Sequence, residues 1–141
     1  MIRPAKLTDL SRLCELCMDM HAESPFPLPP VNPDKLIKGL MHSTVIVWEA
    51  NDKILGFIAL NEGAFWYSDE RFVADRLFYV HPEGRKSHAA RDLVKAAQDY
   101  AKIKRLPLIL APTNGVDVER KHAFYTRMGM RQLGGTYSLG L

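Results

Sequence analysis

The chain has 141 residues, 47% of them hydrophobic and 25% charged, with nineteen Lys and Arg against sixteen Asp and Glu for a formal charge of +3. That composition excludes a disordered or collagenous chain, and the length suits one core rather than two, with roughly 7,400 Å² of exposed surface by the usual size scaling. The small net charge disfavours nucleic acid or anionic lipid as a general partner, and apolar runs such as Ile54 to Leu60 are strand-sized, far below the roughly 20 residues that cross a bilayer. The opening MIRPAKLTDLSR lacks the continuous apolar region of a secretory signal, so a cytoplasmic protein is expected.

In chain order, Ile2 and Arg3 open an edge strand, and Thr8 caps a helix to about Ala22 with Asp9 in its first turn. Ser24 to Pro33 carries five of the nine prolines, so it reads as an extended loop or stiff lid. Asp34 to Met41 is a short helix. Thr44 to Ala50 and Ile54 to Leu60 are β-branched and apolar, joined by a tight hairpin at Asn51, Asp52 and Lys53. Trp66 to Asp69 marks a connection, and Phe72 to Val80 is a strand that stops at His81 and Pro82.

From Ser87 to about Ile103, Ala90, Leu93, Val94, Ala97, Tyr100 and Ala101 recur at helical spacing, which makes an amphipathic helix with Arg91, Lys95, Gln98 and Lys102 on its wet face. Leu108 to Ala111 is a short buried strand and Val116 to Met128 a second amphipathic helix ended by Gly129. Tyr137, Leu139 and Leu141 alternate as a final strand. The whole is a single mixed α/β domain spanning 1–141.

Cys14 and Cys17 sit at apolar positions of the first helix with Leu10, Leu13 and Met18. A redox pair wants a helix N-terminus, and a zinc site with His21 needs a fourth ligand, so buried core residues are expected and no metal. The stretch YVHPEGRKSHAARDLV is different. Its backbone amides near Ser87 to Ala90 begin a helix, lack intrahelical acceptors and lie beside Arg85 and Lys86, which suits an anion such as a phosphate. A plain solvated helix start is the alternative.

With these segments in view the chain resembles the GNAT superfamily of N-acetyltransferases over nearly its whole length. IRPAKLTDLSRLCEL resembles the first strand and helix, and VWEANDKILGFIAL the second and third strands. LFYVHPEGRKSHAARDLV resembles the strand, turn and helix that bind acyl-CoA, with the pattern Arg or Gln, two residues, Gly, one residue, Gly or Ala. HAFYTRMGMRQLGGTYSL resembles the closing helix and strand. Arg85 falls on the first position of the turn pattern, His88 on its first Gly and Ala90 on its last; Val118 stands where many relatives carry Asn.

The resemblance implies a twisted mixed sheet of about six to seven strands flanked by about four helices, and transfer of an acetyl group from acetyl-CoA to a primary amine of a small molecule or protein. It places acetyl-CoA, as co-substrate, on Phe78, Tyr79 and Val80 of the fourth strand and on Arg85, Lys86, Ser87, His88, Ala89 and Ala90 of the turn. An amide near Tyr79 or Val80 would meet the oxyanion, and Tyr125 matches the general acid. For the base, period-2 alternation sets Asp75 on one face with Leu77, Tyr79 and His81; Glu62 is the other choice. Phe26, Trp48, Trp66 and Tyr67 are candidates to line an acceptor cleft, and many relatives of this size pair as homodimers through C-terminal strands. The competing reading is a noncatalytic module of the same fold that recognises a protein or nucleic acid through Arg85, Lys86, Arg91 and the Lys102 to Arg105 cluster.

Overall fold

Three consecutive segments of apolar and β-branched residues build most of a sheet, and helical segments before and after them close its two faces. The computed structural model describes residues 1–112 and 115–141. Strands β1 (Ile2–Pro4), β2 (Thr44–Ala50), β3 (Lys53–Ala64), β4 (Arg71–Val80) and β5 (Leu108–Ile109) lie side by side in that order. The first three junctions are antiparallel and the last is parallel, so the sheet is mixed. Helices α1 (Leu10–Glu23), α2 (Pro33–Met41), α3 (Ala89–Lys104) and α4 (Val118–Arg127) complete the mixed α/β architecture read from the sequence.

The β2–β3 turn falls where the sequence places it. Asn51 and Asp52 have φ of 52° and 60°, the paired left-handed conformations of a tight hairpin, which short polar side chains tolerate. At the start of the chain a 3-10 turn, Leu7–Asp9, precedes α1, so Thr8 is not its cap. Asp9 instead accepts hydrogen bonds from the Lys6 amide at 2.7 Å and from Arg3, while the Arg3 Nε donates to Glu49 at 2.6 Å. That network ties β1 to β2 and fixes the angle at which α1 leaves the sheet.

Each face has its own core. On one, Leu13, Leu16 and Cys17 of α1 and Leu40 of α2 pack on Val47, Phe57, Ala59 and Tyr79. On the other, Ala89, Leu93, Ala97 and Ala101 recur every fourth residue along α3 and meet Ile58, Leu60, Val73 and Val80. The small residues of that stripe let α3 lie close to the strands, and the Trp48 Nε1–H adds a 3.1 Å bond to Asp92.

Five strands are present among the described residues rather than six to seven. The expected final strand is the difference: residues 131–141 form no regular element, and Tyr137 and Leu139 are 94% and 104% exposed. Alternation alone does not make a strand without a neighbouring edge to pair with, and Gly134, Gly135 and Gly140 weaken the segment's own preference. The accessible surface, 9556 Å², accordingly exceeds the roughly 7,400 Å² expected from size.

Phe57 lies at the centre of the α1 face and is fully buried. Phe57→Ala should lower unfolding free energy by about 3–5 kcal/mol, measured by urea denaturation.

Candidate functional site

The register of β4 creates the site. Ala59 pairs with Leu77 but Leu60 pairs with Asp75, so Arg76 is an extra residue in β4, a bulge that turns every side chain before it to the opposite face. Asp75 therefore shares its face with Leu60 and Val73 on the α3 side. Leu77 and Tyr79 face α1, and the single-face alternation expected for Asp75, Leu77, Tyr79 and His81 does not hold. The polar pair Asp75–Arg76 within an apolar strand was the only trace of the bulge in the sequence.

Just there β4 and β5 part. Their parallel pairing consists of Val73 with Leu108 and Ala74 with Ile109. At the fork the Asp75 Oδ1 accepts the Ala111 amide at 3.0 Å, a side chain standing in for the next rung of the ladder. Beyond it the outer edge of β4 is open. The His81 amide donates to the Leu55 carbonyl at 2.7 Å, so alternation turns the main-chain groups of Tyr79 toward β3 and those of Phe78 and Val80 toward the open edge. Of the two amides expected near the oxyanion, that of Val80 turns to the open edge and that of Tyr79 to β3.

The opening is a cleft of about 570 Å³, within the range of small-molecule sites. Its walls are the β4 edge, the start of α3, the end of α1 and one face of α4. Phe78, Tyr79, Val80, Arg85, Ser87, His88 and Ala90 line it, together with Asp75 and Tyr125. Lys86 and Ala89 do not. Ala89 is fully buried against the sheet with its amide donating to the Ser87 hydroxyl at 3.1 Å, and Lys86 is exposed outside the lining.

His88, in place of a glycine, has φ of −87°, which any residue adopts, and caps α3 through its carbonyl. Among the described residues the amides of Ala90 and Arg91 have no protein acceptor. They are the unpaired donors of the helix start.

Arg85 is committed elsewhere. Its Nε donates to the Val80 carbonyl at 2.9 Å, and its Nη2 meets both Glu23 carboxylate oxygens at 2.8 and 2.6 Å. The guanidinium lies over the Tyr79 ring at 5.7 Å, and the Tyr79 hydroxyl donates to Glu23 at 2.9 Å. Burial first, then that bond to Glu23, pushes the Tyr79 phenol above its usual range. Arg85 thus clasps α1 to the turn after β4.

The Asp75 charge reaches Tyr125 across the fork. Burial, then the Asp75 charge, raises the Tyr125 phenol so that it stays protonated, and burial raises the Asp75 carboxyl against the opposing pull of the Ala111 amide. Lys121, one turn before Tyr125, is pushed below the usual lysine range chiefly by burial, with Asp117 opposing. Sequence reasoning missed Glu23, Lys121, Arg120, Phe124 and Arg127 as lining groups. For the α4 set the signal was present: 117, 120–121, 124–125 and 127 repeat at helical spacing around Tyr125.

Other candidates lie away from the cleft. Glu62 pairs with Arg71 at 3.4 Å and Lys104 at 3.8 Å. The His81 Nδ1 accepts the Glu83 amide. Trp48 is core, while Trp66 and Tyr67 are exposed at the β3–β4 connection. Phe26 packs against Gly115 and lays the proline loop onto the segment before α4. Cys17 is buried with its thiol pushed up to about 12 by burial, the opposite of a reactive pair.

The sequence matches the model of the acetyltransferase (GNAT) family over residues 10–130. A search of curated proteins finds no match. Similar solved structures include a ribosomal-protein-alanine N-acetyltransferase from Brucella melitensis (TM-score 0.79, 15% identity, 100% of this chain and 97% of that one). A mutant protein from Bacillus halodurans (0.74, 23%, 100% and 99%) and an aminoglycoside 6′-N-acetyltransferase from Acinetobacter haemolyticus (0.72, 14%, 100% and 97%) share the fold as well.

Because the folded Asp75 carboxyl holds its proton to higher pH than in the unfolded chain, its contribution to stability is full below the unfolded pKa and is lost as pH rises through the folded one. Asp75→Asn keeps an oxygen for the Ala111 amide. It should match or exceed the parent in urea unfolding at about pH 7, and lose any advantage near pH 3. Asp75→Ala leaves the amide unpaired and should cost about 1–3 kcal/mol. Equal losses for both variants would mean that the charge itself holds the fork.

Proposed function

Given that the chain belongs to the acetyltransferase (GNAT) family, we propose that it transfers an acetyl group from acetyl-CoA to a primary amine, both substrates being held in the β4–β5 cleft. The observation that carries this reading is the open β4 edge, which runs from the unpaired amides of α3 to the Tyr125 side chain within one cavity. The names of similar structures include both a protein acceptor and an aminoglycoside acceptor, and the proposal covers a small-molecule or protein amine.

When bound, acetyl-CoA supplies a thioester whose C–S bond breaks as the amine nitrogen forms its bond to the acyl carbon. Phe78 and Val80 present main-chain groups to the pantetheine arm as a neighbouring strand would, and an amide of this edge faces the negative charge developing on the acyl oxygen. The Ala90 and Arg91 amides, with Ser87 and His88 beside them, receive the diphosphate at the positive end of the helix dipole. Tyr125, kept neutral by its surroundings, donates its proton to the departing sulfur. Asp75 takes the proton lost by the amine, directly or through water; burial makes it more basic than an exposed carboxylate. Proton return from Asp75 to Tyr125 through solvent resets the site.

Arg85 has no part in holding phosphate in this account, since Glu23 and the Val80 carbonyl occupy it. Its role is to set the position of the turn.

Calorimetric titration with acetyl-CoA should give saturable binding; no heat up to high micromolar concentration would overturn the reading. Tyr125→Phe should lower turnover by about 10²–10⁴-fold, assayed by thiol release over a panel of amines, with acetyl-CoA binding little changed. Unchanged turnover would remove Tyr125 from the acid role.

A further inference from the structure

The cleft holds more positive charge than one diphosphate calls for. Six Arg and Lys side chains line it against the carboxylates of Glu23, Asp75 and Asp117, an excess of three. That equals the formal excess of the whole chain, so the remainder of the molecule is balanced and the surplus is concentrated in the cleft. Three of the six have evident tasks: Arg85 is bound to Glu23, the Arg76 Nε donates to Asn61 at 3.1 Å, and Lys121 feels Asp117.

Arg91, Arg120 and Arg127 remain. Arg91 has only Asp92 at 3.6 Å, and among the described residues Arg120 and Arg127 have no carboxylate within ion-pair distance.

These three share one wall. Arg120, Phe124 and Arg127 fall at i, i+4 and i+7, a stripe on one face of α4 about 10 Å long. On α3, Arg91 and Gln98 are likewise seven residues apart, and the Gln98 Nε2 donates to the Met128 carbonyl at 2.9 Å, so the Arg91 face is the one that meets α4. Arg120 also lies in the first turn of α4, where the helix dipole disfavours a cation, so helix stability does not account for it. Guanidinium groups with no hydrogen-bonded carboxylate, flanking an aromatic ring on the wall that α3 and α4 share, suit an anion attached to a flat ring.

We propose that this wall is a subsite for the adenosine 3′-phosphate end of coenzyme A, with Phe124 against the base and Arg91, Arg120 and Arg127 around the phosphate monoester; the proposal rests on the acetyl-CoA reading. Near neutral pH a phosphate monoester approaches two negative charges and offers three strong acceptor oxygens, which suits the rigid donor forks of arginine. The subsite lets the protein distinguish coenzyme A from its 3′-dephospho form, a distinction that neither the α3 amides nor the β4 edge can make.

The test is calorimetry with coenzyme A and with 3′-dephospho-CoA. The parent protein should bind coenzyme A about tenfold to hundredfold more tightly. Arg120→Gln combined with Arg127→Gln should remove most of that difference by weakening coenzyme A alone. Both positions are exposed, and circular dichroism and unchanged 3′-dephospho-CoA affinity report that the fold is intact. Lys35→Gln with Lys38→Gln on α2, away from the cleft, changes net charge equally and should leave both affinities unchanged.

Equal affinities in the parent, or equal losses for both nucleotides in the arginine double variant, would overturn the subsite while leaving acetyl-CoA binding standing. A parallel effect in the lysine control would assign the preference to general charge and overturn it too. Absence of binding by either nucleotide would overturn the acetyl-CoA reading together with the subsite.

Discussion

One carboxylate oxygen holds open the space on which the site depends. Two parallel strands that start side by side gain by continuing to pair, since each further rung satisfies groups that would otherwise need water. Here the ladder ends after Ala74 and Ile109, and Asp75 takes the Ala111 amide in place of a main-chain carbonyl. The bulge at Arg76 makes this substitution feasible by rotating Asp75 onto the α3 face and, in the same step, returning Leu77 and Tyr79 to the α1 core. A strand without the extra residue would carry a carboxylate into one apolar core or lose the other. The open edge and the cleft follow from that local arrangement.

The charges around the cleft are sorted rather than pooled. Glu23 and Arg85 form a closed pair with the Tyr79 ring and hydroxyl, which joins the end of α1 to the turn that precedes α3. Both partners are partly exposed, so the pair contributes modestly to stability. Its greater effect is geometric, because it positions the α3 start relative to the β4 edge. An arginine that the sequence pattern marks for ligand contact is held in the frame by Glu23 and the Val80 carbonyl, and in the proposed function recognition of anions passes to main-chain amides and to arginines on two helices.

Much of the fold was legible because local rules and tertiary packing agree. The β2–β3 hairpin follows from Asn51–Asp52, and α3 from its four-residue stripe of Ala and Leu. Ser87, His88 and Ala90 follow from a strand that feeds a helix, while Phe78 and Val80 were placed at the site by the family resemblance. The failures are equally local. The face of Asp75 was misread because one inserted residue inverts a period-2 pattern without changing composition. The last strand was misread because alternation at 137, 139 and 141 describes a strand only if an edge accepts it. Ala89 and Lys86 were placed with the turn by the resemblance, although one is buried in the core and the other lies outside the cavity lining. Glu23 was invisible, since its partner Arg85 is 62 residues distant in sequence.

The loop 24–33 meets the segment before α4 through a phenyl ring seated on Gly115, a residue with φ of +73° where a Cβ would collide with Phe26. Five prolines have already removed most of the freedom this strap would otherwise give up on settling there, so its ordering costs little entropy. A tether of this stiffness shifts as a plank does, from its ends. The spacing between this loop and the segment before α4 is therefore set by a single ring and the hydrogen atom beneath it.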